Sequence, residues 1–377
     1  MQKLEAQDYS QEITSWDIET YKSLISDKLK PEDIDLLVNP DKIFPRQKQV
    51  LAVHWHPEIV PLEIVRKRIE NMFPNKEEEL IIPTQHNQLL TYDGFTGVEV
   101  DCYSPEFERK VQLLMHFKKE KLENGDVFRS MLEHTFKYRS SQFHEFLETL
   151  INPKFKYRIE EAAIDTGADE GLVDFAIIHA KKHKMMFEQF YSETPPTAIR
   201  NKLLTNYFVL LEDIYEEHFV HHLVSFIKRV KKIVKRDFKL DYFYETKEII
   251  EEARSLGGCI VVPHPEQFWP ILLADYDVDG YEVWNPQSRQ YTEFLINVVN
   301  KKNSDNKGSQ KPILVFMGDD THLGAKLLPP KYQKREKANR EIGFQPAWDD
   351  MHIRKSLIRG NFSRKRVIIE YKERLEE

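Results

Sequence analysis

The chain has 377 residues, 41% hydrophobic and 12% aromatic, enough for one large α/β barrel or two to three smaller domains. Its net charge is −7, which gives no general pull toward nucleic acid or an anionic membrane, so an anionic substrate must be drawn by a local feature such as metal ions. Two cysteines, Cys102 and Cys259, imply no disulfide framework, no apolar stretch approaches the roughly 20 residues of a membrane span, and MQKLEAQDYSQEI lacks the apolar run of a secretory signal.

The expectation is a soluble cytoplasmic protein. Both cysteines lie in or beside apolar runs and read as core packing. Glycine is scarce, 13 in the whole chain, which points to much helix and few tight turns.

In chain order, residues 1–47 are polar, with one helical pattern in SWDIETYKSLISDKL, and read as an N-terminal extension. Over 48–119, QVLAVHWH, LIIPTQHN, GVEVDCY and VQLLMHF read as strands, and PLEIVRKRIENMF has the apolar spacing of a helix. The block 120–246 has few strand signals. Its segment from Leu204 to Val234 keeps apolar residues at three- and four-residue steps and predicts one long amphipathic helix. From 247 to 377 the alternation resumes: KEIIEEARSLGG, CIVVPHP, VDGYEVWN, YTEFLINVVNKK and PILVFMGDD, with NSDNKGSQK at 303–311 a polar loop. Alternating strands and helices predict a parallel sheet with crossover helices, here interrupted by an all-helical subdomain.

The strand-like runs share an ending. VHWH gives His54 and His56, TQHN gives His86, GVEV gives Glu99, LLMHF gives His116, VPHPE gives His264, and GDDTH gives Asp320 and His322. The C-terminal ends of strands are where barrels and open parallel sheets build their sites. Imidazole with carboxylate suits zinc, manganese or iron, and H-x-H on a strand sends both rings to one face. A carboxylate on a neighbouring strand can bridge two ions, so the residues read as a multinuclear metal hydrolase. Glu282, in GYEVWN, reads as a supporting carboxylate rather than a ligand.

The ordered set H-x-H, T-x-H-N, G-V-E-V, a strand ending in His, G-G-x-x-V-x-P-H-P, D-G-Y-E-V-x-N and G-D-D-T-H resembles the polymerase and histidinol phosphatase (PHP) family. It is most similar to the stand-alone phosphoesterases with a helical insertion after the fourth strand. IRKSLIRGNFSRKRV resembles their closing helix and turn, and the likeness covers about 51–119 and 247–365. The resemblance implies a distorted (β/α)7 TIM-like barrel and two or three divalent ions. It implies a first ion on His54, His56, Glu99 and Asp320, a second sharing Glu99 and adding His116 and His264, and a third on His86 and His322. It also implies that a metal-bridging hydroxide attacks phosphorus in line, with Asp320 or His322 protonating the leaving oxygen. Two positions depart from the family pattern. Gln85 stands where relatives place Asp, and PEIVPLE follows the H-x-H where they place His or Asp, leaving Glu58 and Glu63 nearby.

The function expected is hydrolysis of a phosphate ester of a small metabolite or nucleotide. Arg289, in NPQSRQ, and Lys331, opening the basic run KYQKREKANR, are candidate phosphate contacts. The alternatives are a nuclease trimming DNA or RNA ends with that run and the helical block as a clamp, and a non-catalytic interaction module. His134, His144, His179, His183, His218, His221 and His222 in the middle block read as solvated or core-edge histidines, and IKRVKKIVKR as a solvated basic face.

Overall fold

The computed structural model describes residues 10–305 and 311–377. Residues 306–310 of the expected polar loop lie outside that range. The helices in chain order are α1 (Ser15–Ile25), α2 (Pro31–Val38), α3 (Leu62–Met72), α4 (Asp126–Phe136), α5 (Tyr138–Ile151), α6 (Lys156–Thr166) and α7 (Glu170–Gln189). They continue as α8 (Asn201–Leu210), α9 (Glu217–Asp237), α10 (Thr246–Ser255), α11 (Thr292–Asp305), α12 (Arg335–Ala338), α13 (Met351–Arg359) and α14 (Arg364–Glu376). The strands are β1 (Gln49–Ala52), β2 (Trp55–His56), β3 (Glu78–Ile81), β4 (Leu90–Tyr92), β5 (Phe95–Ser104) and β6 (Arg109–Lys118). After the helical stretch come β7 (Cys259–Val262), β8 (Gly280–Trp284), β9 (Leu314–Met317) and β10 (Thr321–His322). No helix among the described residues is long and apolar enough to cross a membrane.

The chain divides into two compact units, Met1–Lys28 with Lys137–Lys239, and Leu29–Phe136 with Leu240–Glu377. The helical unit therefore takes in α1, and α4 goes with the strands.

In the helical unit, α1 starts at a reciprocal cap. Thr14 Oγ1 accepts from the Asp17 amide at 3.2 Å and Asp17 Oδ2 accepts from the Thr14 amide at 2.8 Å. Asp17 is also buried against Tyr207, whose hydroxyl donates to it at 2.6 Å. The long helix expected from Leu204 to Val234 is broken: α8 ends at Leu210, a short turn follows, and α9 begins at Glu217. A straight helix of that length would run about 45 Å at 1.5 Å per residue, longer than a small core. The turn buries Leu211 and Tyr215 and lets Leu204, Tyr207 and Phe208 of α8 share one core with Leu223, Phe226 and Ile227 of α9.

The other unit is mixed α/β. Its largest sheet has the order β4-β5-β6-β7-β8-β9, and two short parallel ladders pair β1 with β3 and β2 with β10. Among the described residues no sheet closes on itself. β7, β8 and β9 are parallel, whereas from β4 to β7 each strand is antiparallel to its neighbour, which corrects the expectation of an all-parallel array. The cause is local. Asp93 and Gly94, both at positive φ, make a two-residue hairpin between β4 and β5, and only four residues separate β5 from β6. Connections that short cannot cross over, so the strands must run antiparallel.

Period-two alternation sets what β1 and β5 do. Leu51 and Val53 enter one core and Val50 and Ala52 another, so β1 is covered on both faces. Along β5, Val98, Val100 and Cys102 pack into the core, which leaves Gly97, Glu99 and Asp101 on the opposite face.

Candidate metal centre

Glu99 is the hub of that opposite face. The segment after β3 lies alongside it: Asn87 N donates to Glu99 O at 2.7 Å and Glu99 N donates to Gln85 O at 3.2 Å. Asn87, at φ +53°, clamps the loop through Asp101, donating from Nδ2 at 2.8 Å and accepting from the Asp101 amide at 2.9 Å. This clamp sets His86 Nδ1 2.7 Å from Glu99 Oε2. Gly97 makes the approach possible, because a Cβ there would sit 2.3 Å from Pro83 O.

Seven of the eight expected ligands converge. His54, Glu99 and His264 bring ligand atoms within 4.8 Å of one another, as do His54, His56 and Asp320, and His56, His86 and His322. His54 Nε2 is 4.0 Å from Glu99 Oε1 and 3.7 Å from Asp320 Oδ1. His56 Nε2 is 3.5 Å from Glu99 Oε2 and 3.6 Å from Asp320 Oδ1, and His264 Nε2 is 3.6 Å from Glu99 Oε1. These separations are long for hydrogen bonds. They suit donors sharing an ion, since bonds of about 2.0–2.2 Å put tetrahedral donors about 3.3–3.6 Å apart.

His54 Nε2 and His56 Nε2 are buried with no hydrogen-bond partner. Two unsatisfied imidazole nitrogens aimed at two carboxylates are costly without a cation between them. The donor set therefore fits divalent ions of the zinc, manganese or iron type.

The eighth ligand does not arrive. His116 Nε2 donates to Val53 O at 3.0 Å and its Nδ1 accepts from the Tyr371 hydroxyl at 2.7 Å, so both nitrogens are used. The antiparallel course of β6 is the reason. Its C-terminal end pairs His116 with Gly97 and with Cys259, the first residue of β7, whereas His264 follows that strand's far end. His116 sits beneath the centre and buttresses it.

Carboxylates hold the ligands from behind. His54 Nδ1 donates to Glu282 Oε1 at 2.7 Å, and Glu282 Oε2 accepts from the His264 amide at 2.8 Å. This leaves the Nε2 lone pair of His54 for an ion. Glu58 Oε1 lies 3.5 Å from His322 Nδ1, while His322 Nε2 faces Asp320 Oδ1 at 3.2 Å. Glu58, which sequence spacing left unplaced, thus stands behind His322 on the side where Glu282 stands behind His54, but at a longer distance. Glu58, His264 and Asp320 all have positive φ, at +55°, +29° and +44°. Such strained backbone at three neighbouring polar positions is a mark of a built site.

The charge pattern follows. Despite burial, the surrounding histidines hold Glu99 and Asp320 well below the usual carboxylate range. Burial, then His322 and His86, push His56 down to about 3; its ring lies against both, with centroids 4.2 Å from His322 and 4.6 Å from His86. Burial opposes charging of His54, but Glu282, Asp320 and Glu99 hold its proton up to about 10. With an ion bound, Nε2 of His54 would be its donor and Nδ1 would keep the hydrogen bond to Glu282.

Exposure grades across the centre. The His54, His56 and Glu99 side chains are 1% exposed, while His86 and His322 reach about 20%. The outer edge at His86, His322 and Asp320 is the open one. Arg289 lies over the Trp284 ring at 6.0 Å and Lys331 over Tyr332 at 4.5 Å. The basic run does deliver a cation, but from its last residue: Arg340 Nη1 donates to Asp320 Oδ2 at 2.6 Å. The other aspartate of GDDTH is structural. Asp319, pushed up to about 7 by burial, accepts from the Gly343 amide at 2.9 Å and ties that loop to the end of β9.

No family model and no curated protein matches the chain. Among solved structures it is similar to a protein from Bifidobacterium adolescentis described as "a putative metal-dependent phosphoesterase", at 17% identity over 84% of this chain and 97% of that one, with a TM-score of 0.39.

Proposed function

We propose that this chain is a metal-dependent phosphoesterase of the PHP type, hydrolysing a phosphate ester of a small metabolite or nucleotide. One observation carries the reading: buried His54 Nε2 and His56 Nε2, without hydrogen-bond partners, face Glu99 and Asp320 at separations an ion would bridge. The ladder order supports a distorted barrel. β3 pairs with β1, β2 with β10, and β9 with β8, while the bridge between His86 and Glu99 links the segment after β3 to β5.

An imidazole nitrogen serves one ion, whereas a carboxylate can bridge two. His54, His56 and Asp320 would hold one ion, and Glu99 would be shared with a second at His264. His86 and His322 are donors for a third at the open edge. Divalent ions bound there supply Lewis acidity toward a phosphoryl oxygen and make water a nucleophile near neutral pH. Glu282 fixes the orientation of the His54 ring, and Glu58 faces His322 Nδ1 from 3.5 Å. The buried floor excludes bulk water, and the ester approaches past His86 and His322. With no third ion bound, His322, whose Nε2 faces Asp320 at 3.2 Å, would be the group that hands a proton to the leaving oxygen.

Elemental analysis of protein purified without chelator or histidine tag tests this. Two or three equivalents of manganese, iron or zinc are expected, falling sharply in Glu99→Ala, with release of phosphate from a panel of phosphate esters. No metal after incubation with manganese would end the hydrolase reading.

A further inference from the structure

Arg340 follows α12, its side chain is 2% exposed, and Nη1 donates twice to one residue: to Asp320 Oδ2 at 2.6 Å and to the Asp320 main-chain oxygen at 2.9 Å. On its other nitrogen, Nη2 donates to the Gln287 side-chain oxygen at 2.6 Å when that amide is assigned the orientation that pairs donor with acceptor, and Glu336 Oε1 is 3.8 Å away. A guanidinium this enclosed is not open to a substrate phosphate.

Its geometry acts on Asp320 instead. Asp320 sits at φ +44°, a conformation an aspartate holds only when its surroundings impose it. The second contact from Nη1, to the main-chain oxygen, is such a constraint. With Oδ2 held by the guanidinium, only Oδ1 is presented inward, 3.2, 3.6 and 3.7 Å from the Nε2 atoms of His322, His56 and His54. A carboxylate without that anchor is free to chelate one ion with both oxygens or to turn away from it.

We propose that Arg340 is a positioning residue that makes Asp320 a one-oxygen ligand, setting the affinity and coordination of the first metal. This rests on the metal reading above. It assigns the buried arginine to the centre itself rather than to substrate.

The test is Mn²⁺ titration by calorimetry on the full chain stripped of metal, comparing wild type with Arg340→Lys, Arg340→Met, Asp320→Asn and the double variant Asp320→Asn/Arg340→Met. Arg340→Met is expected to weaken the tightest Mn²⁺ site by about 10- to 100-fold, the range for partners that orient a ligand. It should also change the paramagnetic resonance spectrum of bound Mn²⁺. Arg340→Lys should recover part of both, because an ammonium keeps the charge and loses the fork. The double variant should bind no more weakly than Asp320→Asn alone, since an arginine acting only through Asp320 has nothing left to position. Wild-type affinity and spectrum in Arg340→Met, or additive losses in the double variant, would overturn the assignment. Should Arg340→Met fail to fold by circular dichroism, the same cycle with Arg340→Lys decides the matter on the same criteria. A wild type that binds no Mn²⁺, Fe²⁺ or Zn²⁺ overturns the metal reading and this inference together, whereas wild-type binding with indifferent Arg340 variants overturns this inference alone.

Discussion

Gly318→Ala probes the centre without touching a ligand. A Cβ on Gly318 would lie 1.6 Å from Glu282 Oε1 and 2.1 Å from its Cδ. Ordinary contact needs about 3.5–4 Å, so the carboxylate oxygen must retreat by roughly 2 Å. The moving atoms are the tip of a side chain, and the strands need not separate. The cost falls on the two bonds Glu282 makes, 2.7 Å to His54 Nδ1 and 2.8 Å to the His264 amide. Buried hydrogen bonds to a charged group contribute about 1.5–3 kcal/mol each, and partial rearrangement leaves an expected loss of about 2–4 kcal/mol. The larger consequence is for the ligands. His54 loses the partner that fixes its ring, and loss of such a partner lowers metal affinity about 10- to 100-fold. Urea unfolding of the metal-free protein and Mn²⁺ titration measure the two effects separately. Gly324→Ala is the graded comparison. Its Cβ would meet Glu58 Oε2 at 2.1 Å, but Glu58 stands 3.5 Å from His322, so the effect on affinity should be smaller. A Gly318→Ala protein that binds Mn²⁺ as tightly as wild type would refute the view that Glu282 orients His54.

Three further outcomes are expected. His116→Gln should leave metal equivalents unchanged by elemental analysis while costing about 1–3 kcal/mol in urea unfolding, because His116 hydrogen-bonds Val53 and Tyr371 rather than an ion; loss of an equivalent would return it to the ligand set. Gly97→Ala pushes against a main-chain oxygen, Pro83 O at 2.3 Å, so β5 must part from the segment carrying His86. A loss of about 2–4 kcal/mol is expected together with weaker Mn²⁺ binding, and a variant matching wild type in both would contradict the close approach. In the helical unit, His183 is buried with no hydrogen-bond partner on either nitrogen, and burial pushes it down to about 3. The folded state keeps it neutral while the unfolded chain takes a proton near 6.5. Its contribution is therefore complete above that pH and is lost as pH falls toward 3, by up to about 1.4 kcal/mol per pH unit. His183→Leu should flatten this part of the unfolding free energy between pH 6.5 and 4.5, and an unchanged slope would count against the assignment.

Periodicity and strand endings in the sequence marked most of the strands and the seven groups that converge, because side-chain alternation along a strand is local; the short β4 and the split of QVLAVHWH into β1 and β2 gave no such signal. Periodicity was not enough to set the direction of β6. That depended on the turn between Ser104 and Arg109, and with it went the role of His116, which shares a register with Gly97 and Cys259 instead of joining the cluster around Glu99. The break between α8 and α9 was hidden for a related reason. Apolar spacing continues through Leu211 and Tyr215 because those residues are buried in the turn as they would be in a helix. Glu58 lies only two residues beyond His56, and the basic run up to Arg340 was visible as charge. Their partners, His322 and Asp320, are far along the chain or set by a positive-φ turn. Which carboxylate steadies which imidazole, and which cation holds Asp320, are pairings between distant segments, and only the packed tertiary structure decides them.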